Sequence, residues 1–411
     1  MGQVLSPDSQ PLRGPWRSGK PVTTPAAGQA PRALSPGGLQ LLVIQASPFC
    51  NLDCSYCYLP DRADTRRMPL ELLDRVMAAL MVSGLPGPEL SIVWHAGEPM
   101  AVPRNWYQAA FKIVARHAGT RTVRHHFQTN AVLIDDAWCA FFKQHAVRVG
   151  VSVDGPAALH DTHRRTRDGC GTHGRVMKGL QRLRDAGLGF HCIAVLSRDA
   201  LDQADAIYDF FAALGAEQVG FNVEEAEAAH ARSSLEAVGS ENALRAFWAR
   251  LLQRLQAEPG RLRVREVEAV LAALRHPRFG QMTGNAQNLP GQMLNVDCQG
   301  RWCFWSPELL GGRHPLLGAA VMGELTGADA GFGAASGAPA WAGWQREIDA
   351  GVQRCRKECA YFDFCLGGAP SNKLAEHGHF GGSQTLACRL GQQVPIDAVL
   401  AGLDQQLPPL R

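Results

Sequence analysis

The 411-residue sequence predicts an α/β protein in which a partial barrel of six strand–helix units, (β/α)6, is followed by a loop-rich, cysteine-rich C-terminal part. From residue 39 to about residue 223, short apolar runs alternate with segments of helical periodicity. Such alternation builds a parallel sheet through right-handed βαβ units. About six units fit this length, fewer than the eight of a closed (β/α)8 barrel. Beyond residue 224 the alternation stops and cysteines accumulate.

The elements of the barrel follow in order from residue 39. Residues 1–37 are rich in Pro, Gly, Ser and Ala without periodicity, so we expect them to be disordered. Leu39 begins a short apolar strand, and Pro69 opens a helix whose apolar residues recur at helical spacing. We expect the later strands near residues 92–94, 123–128, 147–153, 190–196 and 219–223, and the later helices near residues 106–117, 137–145, 175–186 and 201–214.

The C-terminal half has a different character. Two further helices are expected near residues 243–255 and 264–274, and the stretch from there to about residue 390 has little periodicity. A stretch so rich in loops needs staples to hold its fold. The expected organisation is a tail at residues 1–37, the barrel at 38–235, a helical bridge at 236–290, a cysteine-rich domain at 291–395 and a C-terminal tail at 396–411.

Composition excludes several classes of protein. The formal net charge is +3, which is too close to neutral for a protein that coats nucleic acid or for a basic membrane-surface helix. There is no run of about 18 apolar residues to span a membrane, and the N-terminus lacks the apolar segment of a signal peptide. We therefore expect a cytoplasmic protein, in which disulfides are disfavoured. Twelve cysteines in such a protein indicate metal binding.

Three cysteines, Cys50, Cys54 and Cys57, follow the first strand at short spacings. Gaps of three and two residues let one loop wrap three thiolates around one cluster. A [4Fe–4S] cluster has four irons, so three protein ligands leave one iron open to bind a small molecule. The alternative is a structural zinc site, which would need a fourth nearby ligand. The next Cys or His is His95, which lies beyond a helix and a strand.

These motifs resemble those of the radical S-adenosylmethionine (SAM) superfamily. In that superfamily a Cys-x3-Cys-x2-Cys loop follows a first strand, with an aromatic residue beside the last Cys. The segment His95–Pro99 looks like the superfamily's Gly-Gly-Glu-Pro motif, with Ala96 in place of the first Gly. The resemblance implies a SAM cofactor, a radical SAM [4Fe–4S] cluster on the three cysteines, and SAM contacts from His95, Gly97 and Glu98.

The resemblance also implies SAM contacts at the ends of later strands. Asn130 ends the third strand and Ser152 the fourth, and the C-terminal ends of strands face the active site in such barrels. The segment around Arg164 resembles a family segment in which a basic residue pairs with the SAM carboxylate, and Arg175 is the alternative. Leu196, at the end of the fifth strand, belongs to the same implied set. Turn chemistry or helix capping is the other interpretation of the polar residues.

A second set of cysteines, Cys355, Cys359, Cys365 and Cys388, lies near the C-terminus. Their arrangement resembles the SPASM extension of radical SAM peptide-modifying enzymes, which carries up to two auxiliary clusters. The resemblance implies that these four cysteines hold one auxiliary [4Fe–4S] cluster. A four-cysteine zinc knot is the alternative, because spacing alone does not separate zinc from iron.

The remaining cysteines depart from the family pattern. Ala369 stands where the family has the last Cys of its short motif, so we expect the other auxiliary cluster to be lost. Cys298 and Cys303 are then leftover ligands or plain thiols. Three isolated cysteines are interpreted as small buried hydrophobic residues or chance thiols: Cys139, Cys170 and Cys192.

Within the superfamily, the chain resembles the cyclophane-forming radical SAM/SPASM peptide maturases that are paired with glycine-rich-repeat precursor peptides. The segments that carry this resemblance are residues 42–45, 58–62, 94–99, 306–311 and 367–373. The resemblance implies a 5′-deoxyadenosyl radical that takes a β-hydrogen from a ribosomally made precursor peptide. The resulting carbon radical closes a C–C cross-link to an aromatic ring, and the auxiliary cluster accepts the electron that is then lost.

The same resemblance implies the protein's partners. Besides the precursor peptide, they include an electron donor such as flavodoxin or ferredoxin, but no nucleic acid and no membrane. A base would assist the final loss of a proton, and Asp297 and Glu308 near the auxiliary cysteines are both candidates. Nothing in the sequence selects between them.

Two other functions stay open at this stage. An anaerobic sulfatase maturase, which oxidises a Cys or Ser to formylglycine, resembles the chain in its barrel, but such enzymes usually keep the Cys that Ala369 replaces. A zinc-stapled binding protein without catalytic activity is the alternative from another class. Colour separates an iron–sulfur enzyme from a zinc-stapled protein, because an iron–sulfur protein is brown and is bleached by dithionite, whereas a zinc protein is colourless.

Overall fold

A computed structural model gives the fold of the chain. It describes residues 34, 37–311, 313–325, 331–332 and 339–404. The expected disordered tail at residues 1–37 lies outside the described residues except for Leu34 and Gly37. Residues 405–411 of the expected C-terminal tail lie outside them as well. None of the helices in the described part of the chain has the length and apolar character that crossing a bilayer requires.

One sheet of nine strands organises the described residues. Each of the first six strands runs parallel to its neighbours. The strands of the sheet are β1 (Leu39–Ile44), β2 (Pro86–Trp94), β3 (Thr122–Thr129), β4 (Arg148–Ser152), β5 (Phe190–Leu196), β6 (Val219–Val223), β7 (Met293–Val296), β8 (Arg301–Phe304) and β11 (Gly323–Glu324), and the pair β9 (Arg313–His314) and β10 (Gly318–Ala319) stands apart. Their order across the sheet is β11-β8-β7-β1-β2-β3-β4-β5-β6. The predicted α/β fold with a six-stranded parallel partial barrel is confirmed.

Helices connect the parallel strands, as the alternating pattern predicts. Those of the barrel are α1 (Leu70–Val82), α2 (Arg104–Ala118), α3 (Asp136–Gln144), α4 (Ala157–His163), α5 (His173–Asp185) and α6 (Ala204–Leu214). Those that follow are α7 (Ser240–Ala257), α8 (Arg265–Arg275), α9 (Pro339–Glu358), α10 (Phe362–Cys365), α11 (Pro370–His377), α12 (Leu386–Cys388) and α13 (Val394–Asp404). In α1 the apolar residues at helical spacing are buried against the sheet, which is the expected origin of its stability.

The cysteine-rich part extends the barrel sheet. Strand β7 pairs in parallel with β1, and β8 returns antiparallel to β7. Because β1 is the first strand of the barrel, this hairpin covers the edge that an open barrel would otherwise leave unpaired. The hairpin thereby brings the residues that follow β7 next to the loop that follows β1.

The expectation that this part lacks regular structure is wrong for one long segment. Helix α9 has 20 residues and buries one face against the core. That face consists of residues spaced three or four apart: Trp341, Trp344, Ile348, Val352 and Cys355. The Gly and Ala residues between them obscured the helical period in the sequence. Cys355 therefore lies on a packed helix rather than in a loop.

The expected C-terminal tail is also partly wrong, because its residues 396–404 belong to helix α13. This helix packs against α7 and α8. Its apolar residues Ile396 and Val399 form a small core with Val270 of α8. Burial of these side chains, about 1.5–3 kcal/mol each when complete, explains why the segment is ordered.

Candidate metal and cofactor site

The first cysteine loop leaves the C-terminal end of β1 and is held by hydrogen bonds to distant segments. The backbone N–H of Cys50 donates to the carbonyl of Arg62 at 3.0 Å. The N–H of Asp53 donates to the carbonyl of Arg165 at 2.8 Å, and Ser55 does the same to His163 at 3.0 Å. The loop is therefore clamped at several points, and Cys50, Cys54 and Cys57 are held within it.

The three thiols are partly buried, and burial disfavours the ionised form of Cys50 and Cys54 unless a positively charged metal centre is bound. Burial, and then the nearby carboxylate of Glu98, raises the pKa of the Cys50 thiol to about 12. Burial also raises the pKa of Cys54 to about 11. Thiolates at these positions therefore need a metal centre to persist. Among the described residues, no group of three or more His, Cys, Asp or Glu side chains is spaced to hold a single metal ion. The fit of an iron–sulfur cluster to this loop therefore rests on its three thiols.

Gly97 is the point where the end of β2 meets the cysteine loop. Its φ of +95° lies in the region that favours glycine, and a Cβ there would clash with the carbonyl oxygen of Ser47 and lie 2.9 Å from that of Phe49. The next residue, Glu98, donates its N–H to the same Phe49 carbonyl at 2.8 Å. Ala96 also has a positive φ, of 65°, where a non-glycine residue is strained. The backbone at Ala96 and Gly97 can therefore approach the cysteine loop closely.

The carboxylate of Glu98 is buried and fully engaged by the protein. Its oxygens accept hydrogen bonds from the N–H of Met100 at 3.0 Å, the hydroxyl of Thr129 at 2.7 Å and the N–H of Asn130 at 2.8 Å. Burial raises the pKa of Glu98 to about 7, although these hydrogen bonds oppose the shift. The structure thus gives Glu98 a bracing role between β2 and β3, and a contact of its side chain with SAM stays a prediction.

The other predicted SAM contacts lie at one edge of the sheet, where the strands end. Asn130 follows β3, and its side-chain N–H donates to Asn51 at 2.8 Å and lies 3.8 Å from the Cys50 sulfur. The Ser152 hydroxyl ends β4 and accepts a hydrogen bond from the side chain of Gln128 at 2.9 Å. Leu196 ends β5 and is buried. Their common edge is the one where the cysteine loop begins.

His95, the last predicted contact of this set, is half-buried directly after β2, where its backbone N–H donates to the carbonyl of Ile44 at 3.1 Å. Its Nδ1 has no hydrogen-bond partner in the described structure. Burial lowers the pKa of His95 to about 4. A neutral imidazole with an unused nitrogen is thus available beside the loop.

Arg164 is occupied by a partner that the sequence did not reveal. Its Nε and Nη2 donate to the two carboxylate oxygens of Asp154 at 2.9 and 3.0 Å, and both side chains are buried. The hydroxyl of Tyr56, in the cysteine loop, donates to the same carboxylate. Burial alone would raise the pKa of Asp154, but Arg164 and Tyr56 outweigh it and hold the pKa below its usual range. In the structure the guanidinium is therefore directed to Asp154, and Arg175 is exposed on α5.

The second set of thiols converges on one cavity. Cys355 of α9, Cys359, Cys365 of α10 and Cys388 of α12 all line it. Ala369 lines the same cavity. Four thiols around one space fit the ligand set of an iron–sulfur cluster, whereas no three of the described side chains are spaced to hold a single metal ion such as zinc. Cys298 and Cys303 are buried elsewhere: Cys298 lines a cavity beside the first cysteine loop, and Cys303 is fully enclosed in β8.

The two candidate bases differ in their surroundings. Asp297 is engaged in the turn between β7 and β8, where its oxygens accept from the N–H groups of Gln299 and Arg301 at 2.9 Å each and from the Arg301 side chain at 2.6 Å. Glu308 lines the cavities on both sides of it. Burial, and then the nearby Glu225, raises the pKa of Glu308 to about 7. Glu308 is therefore the better placed to exchange a proton near neutral pH.

Sequence reasoning missed the carboxylates that accompany Glu308. Glu225 and Glu227 follow the end of β6, and the side-chain N–H of Asn372 donates to both, at 3.0 and 2.8 Å. Burial, then repulsion from Glu308 and Glu225, raises the pKa of Glu227 well above its usual value. A signal was available, because these acidic residues directly follow a predicted barrel strand, at the edge where functional groups gather.

Comparisons with known proteins agree with this geometry. Residues 44–226 match the radical SAM superfamily. An uncharacterized protein of Synechocystis sp. is 37% identical over 376 residues, which cover 90% of this chain and 94% of the relative. The serine-type anaerobic sulfatase-maturating enzyme of Klebsiella aerogenes is 32% identical over 201 residues, which cover 48% of this chain and only 50% of that enzyme.

Solved structures share the fold at low sequence identity. Native anSMEcpe with bound AdoMet and the Cp18Cys peptide has a TM-score of 0.72 at 18% identity, over 90% of this chain and 98% of that chain. Streptococcus suis SuiB bound to its precursor peptide SuiA has a TM-score of 0.60 at 15% identity, over 86% of this chain and 76% of that chain. At this level of identity the likeness concerns the fold alone.

Proposed function

Because the chain belongs to the radical SAM superfamily, we propose that it matures a ribosomally made precursor peptide by closing a C–C cross-link between a β-carbon and an aromatic ring, a cyclophane. The chain is an enzyme that uses SAM and iron–sulfur chemistry. When bound, the reduced cluster and SAM supply a 5′-deoxyadenosyl radical, which takes a hydrogen atom from the substrate. The protein's own part is to hold one C–H bond close to that radical and to keep water out.

One observation carries the proposal: Glu308 lines two cavities, one beside the first cysteine loop and one that includes thiols of the second set. On one side it lines a cavity of about 150 Å³ together with Pro48, next to the first cysteine loop, and Ala96. On the other side it lines a cavity of about 540 Å³ that includes Cys365 and Cys388. A peptide segment placed here would lie beside the first cysteine loop at one end and beside Cys365 and Cys388 at the other.

We assign Glu308 as the proton acceptor of the cross-linking reaction. Forming the cross-link removes two hydrogens from the peptide, one as the atom that the radical takes and the other as a proton and an electron. The carboxylate of Glu308 would take the proton, and an iron–sulfur cluster held by Cys355, Cys359, Cys365 and Cys388 would supply the acceptor for the electron. A carboxyl group whose pKa is about 7 can take up a proton at neutral pH and release it again.

The peptide substrate is supported by what relatives bind. The solved structures with this fold include one with the Cp18Cys peptide and one with the precursor peptide SuiA. The cavities around Glu308 are rich in polar and acidic groups, which suits a peptide backbone and its side chains. An electron donor such as flavodoxin or ferredoxin and a cytoplasmic location complete the proposal.

Coexpression with the short open reading frames beside this gene, followed by mass spectrometry of the peptides, tests the function. The proposal predicts the loss of two hydrogens per cross-link, with fragment ions missing inside the linked segment. Conversion of Ser to formylglycine also removes two hydrogens, so an aldehyde-reactive hydrazide is applied to the same sample. A labelled, fully fragmenting product would identify a sulfatase maturase instead.

Two variants and a metal analysis complete the test. Glu308→Gln should produce 5′-deoxyadenosine but little cross-linked peptide, whereas Glu324→Gln, at the far edge of the sheet, should produce both as the wild type does. Iron and zinc are then counted in the anaerobically purified protein. Zinc without iron, in a colourless protein, would replace the proposal with the zinc-stapled binding protein.

A further inference from the structure

Lys373 of α11 is a buried lysine whose ammonium group faces the second set of thiols. Only 4% of the residue is exposed, and its Nζ lies 3.4 Å from the sulfur of Cys355. None of the carboxylates among the described residues forms an ion pair with it. A lysine so deeply buried is rare unless an anion compensates its charge.

The fold leaves space for this side chain. On the adjoining helix α9, Gly351 faces the lysine, and a Cβ at this position would lie 3.2 Å from the Nζ and would clash with the carbonyl of Phe380. Val352, the next residue, packs into the core. The lysine therefore passes through a gap that any larger residue at position 351 would narrow.

A second donor, Gln393, points at two other thiols of the same set. The side-chain N–H of Gln393 lies 3.8 Å from the sulfurs of both Cys359 and Cys388. Its carbonyl oxygen accepts a hydrogen bond from Gln384 at 3.0 Å, which orients the amide with its N–H group toward sulfur. Together with Lys373, three of the four thiols have a donor within reach.

Burying an ammonium group without a counter-charge costs several kcal/mol. An iron–sulfur cluster with four thiolate ligands carries a net negative charge. Such a cluster would compensate the buried positive charge of Lys373. A positive charge and N–H donors beside the sulfurs stabilise the reduced state, which has one more negative charge, over the oxidised state. Charge and hydrogen bonds to sulfur are among the factors that set the potential of such clusters.

We propose that Lys373 is a positioning residue that raises the midpoint potential of an auxiliary iron–sulfur cluster held by Cys355, Cys359, Cys365 and Cys388, with Gln393 acting in the same direction. The inference rests on the proposed function, which places a cluster at these four cysteines. Neither residue needs to touch the peptide or SAM. Lys373 makes the cluster easier to reduce, as an electron acceptor requires.

The test is a redox titration of the full chain, reconstituted with iron and sulfide without oxygen and followed by electron paramagnetic resonance. The variant with Cys50, Cys54 and Cys57 replaced by Ala serves as the background, so that only the auxiliary signal is observed. Lys373→Met in this background should lower the midpoint potential by at least about 59 mV, which corresponds to a tenfold change in the equilibrium constant for one-electron reduction. Lys373→Arg should stay near the parent, and Gln393→Leu should lower the potential by a smaller amount.

The control is Lys357→Met, which removes the same charge from the exposed side of α9, two residues from Cys355 and from Cys359. It should leave the potential unchanged. An unchanged or higher potential in Lys373→Met, or a fall in Lys373→Arg equal to that in Lys373→Met, would overturn the inference. If the background protein has no iron and no signal at all, the proposed auxiliary cluster fails instead, so the two failures are distinguishable.

A second measurement covers a Lys373→Met variant that does not load a cluster. In the metal-free protein the buried ammonium is uncompensated, so the same substitution should raise the melting temperature. Loss of loading together with a raised melting temperature supports the inference, because the lysine then serves only the bound anion. Loss of loading with a lowered melting temperature contradicts it, because Lys373 would then be part of the core packing.

Discussion

The side-chain amide of Asn130 donates a 2.8 Å hydrogen bond to Oδ1 of Asn51, which joins the end of β3 to the first cysteine loop. The same amide nitrogen lies 3.8 Å from the Cys50 sulfur. This polar contact therefore joins two residues that are 79 positions apart in the sequence. The contact fixes the position of the first cysteine loop relative to the end of β3.

A double-mutant cycle on this pair should show coupling. Asn130→Ala and Asn51→Ala each remove the hydrogen bond, so their effects on the free energy of unfolding should fall short of additive by about 1 kcal/mol. Urea unfolding of the metal-free protein measures this. The control pair is Asn130→Ala with Asn105→Ala, on α2, which should be additive. Additivity in the first pair would show that the contact does not hold the loop.

Gly97→Ala should disable the site. The substitution places a Cβ against the carbonyl oxygen of Ser47 at a φ of +95°, so the loop or the end of β2 must move. We expect a loss of about 2 kcal/mol or more in stability and a severe loss of SAM cleavage. Gly174→Ala, on α5, where nothing lies within 4 Å, should behave as the wild type. An active Gly97→Ala enzyme would show that the site does not need the close approach of Gly97 to the Ser47 carbonyl.

The ion pair between Arg164 and Asp154 should be structural. Because both side chains are buried, Arg164→Met leaves an uncompensated carboxylate and should cost about 3–5 kcal/mol of stability. The double variant Arg164→Met with Asp154→Asn should recover part of this loss, since no buried charge is left. Thermal unfolding of the three proteins measures the effect. A double variant no more stable than Arg164→Met alone would argue against this assignment.

Stability should fall as the solution becomes acidic, in part because of His125. Its ring stacks on Phe111 with centroids 3.7 Å apart, and its Nδ1 accepts a hydrogen bond from the Trp94 indole at 3.2 Å. Burial, and then repulsion from His145 and His126, lowers its pKa to about 3. The unfolded chain takes up a proton near pH 6.5 and the folded chain does not, so the contribution is complete above that pH and decreases below it by up to about 1.4 kcal/mol per pH unit.

His125→Phe should therefore reduce the slope of unfolding free energy against pH between pH 6.5 and pH 5. Urea unfolding at several pH values measures that slope. His276→Gln changes an exposed histidine after α8 and should leave the slope as it is. An equal slope in His125→Phe and the wild type would show that His125 takes up its proton in the folded protein as it does in the unfolded one.

Much of the barrel could be predicted because its signals are local. Strands β5 and β6 begin and end at the predicted residues, since alternating apolar runs flanked by helices define them. The first cysteine loop was readable for the same reason, because three ligands within eight residues need no knowledge of the fold. Helix α9 was missed because its apolar positions are separated by Gly and Ala.

The contacts that shape the sites could not be predicted in this way. Arg164 directly follows α4 and pairs with Asp154, two residues beyond β4, and a basic residue in a motif does not reveal such a partner. Glu308, Glu225 and Asn372 come from three separate segments that only tertiary packing brings together. The same holds for the approach of Lys373 to Cys355.

The most direct test of the account is reductive cleavage of SAM by the protein reconstituted with iron and sulfide without oxygen. Dithionite is added, and 5′-deoxyadenosine is measured by liquid chromatography and mass spectrometry. The wild type should form 5′-deoxyadenosine, and the variant with Cys50, Cys54 and Cys57 replaced by Ala should form none. Equal amounts from both proteins, or none from a wild type that contains its iron, would contradict it.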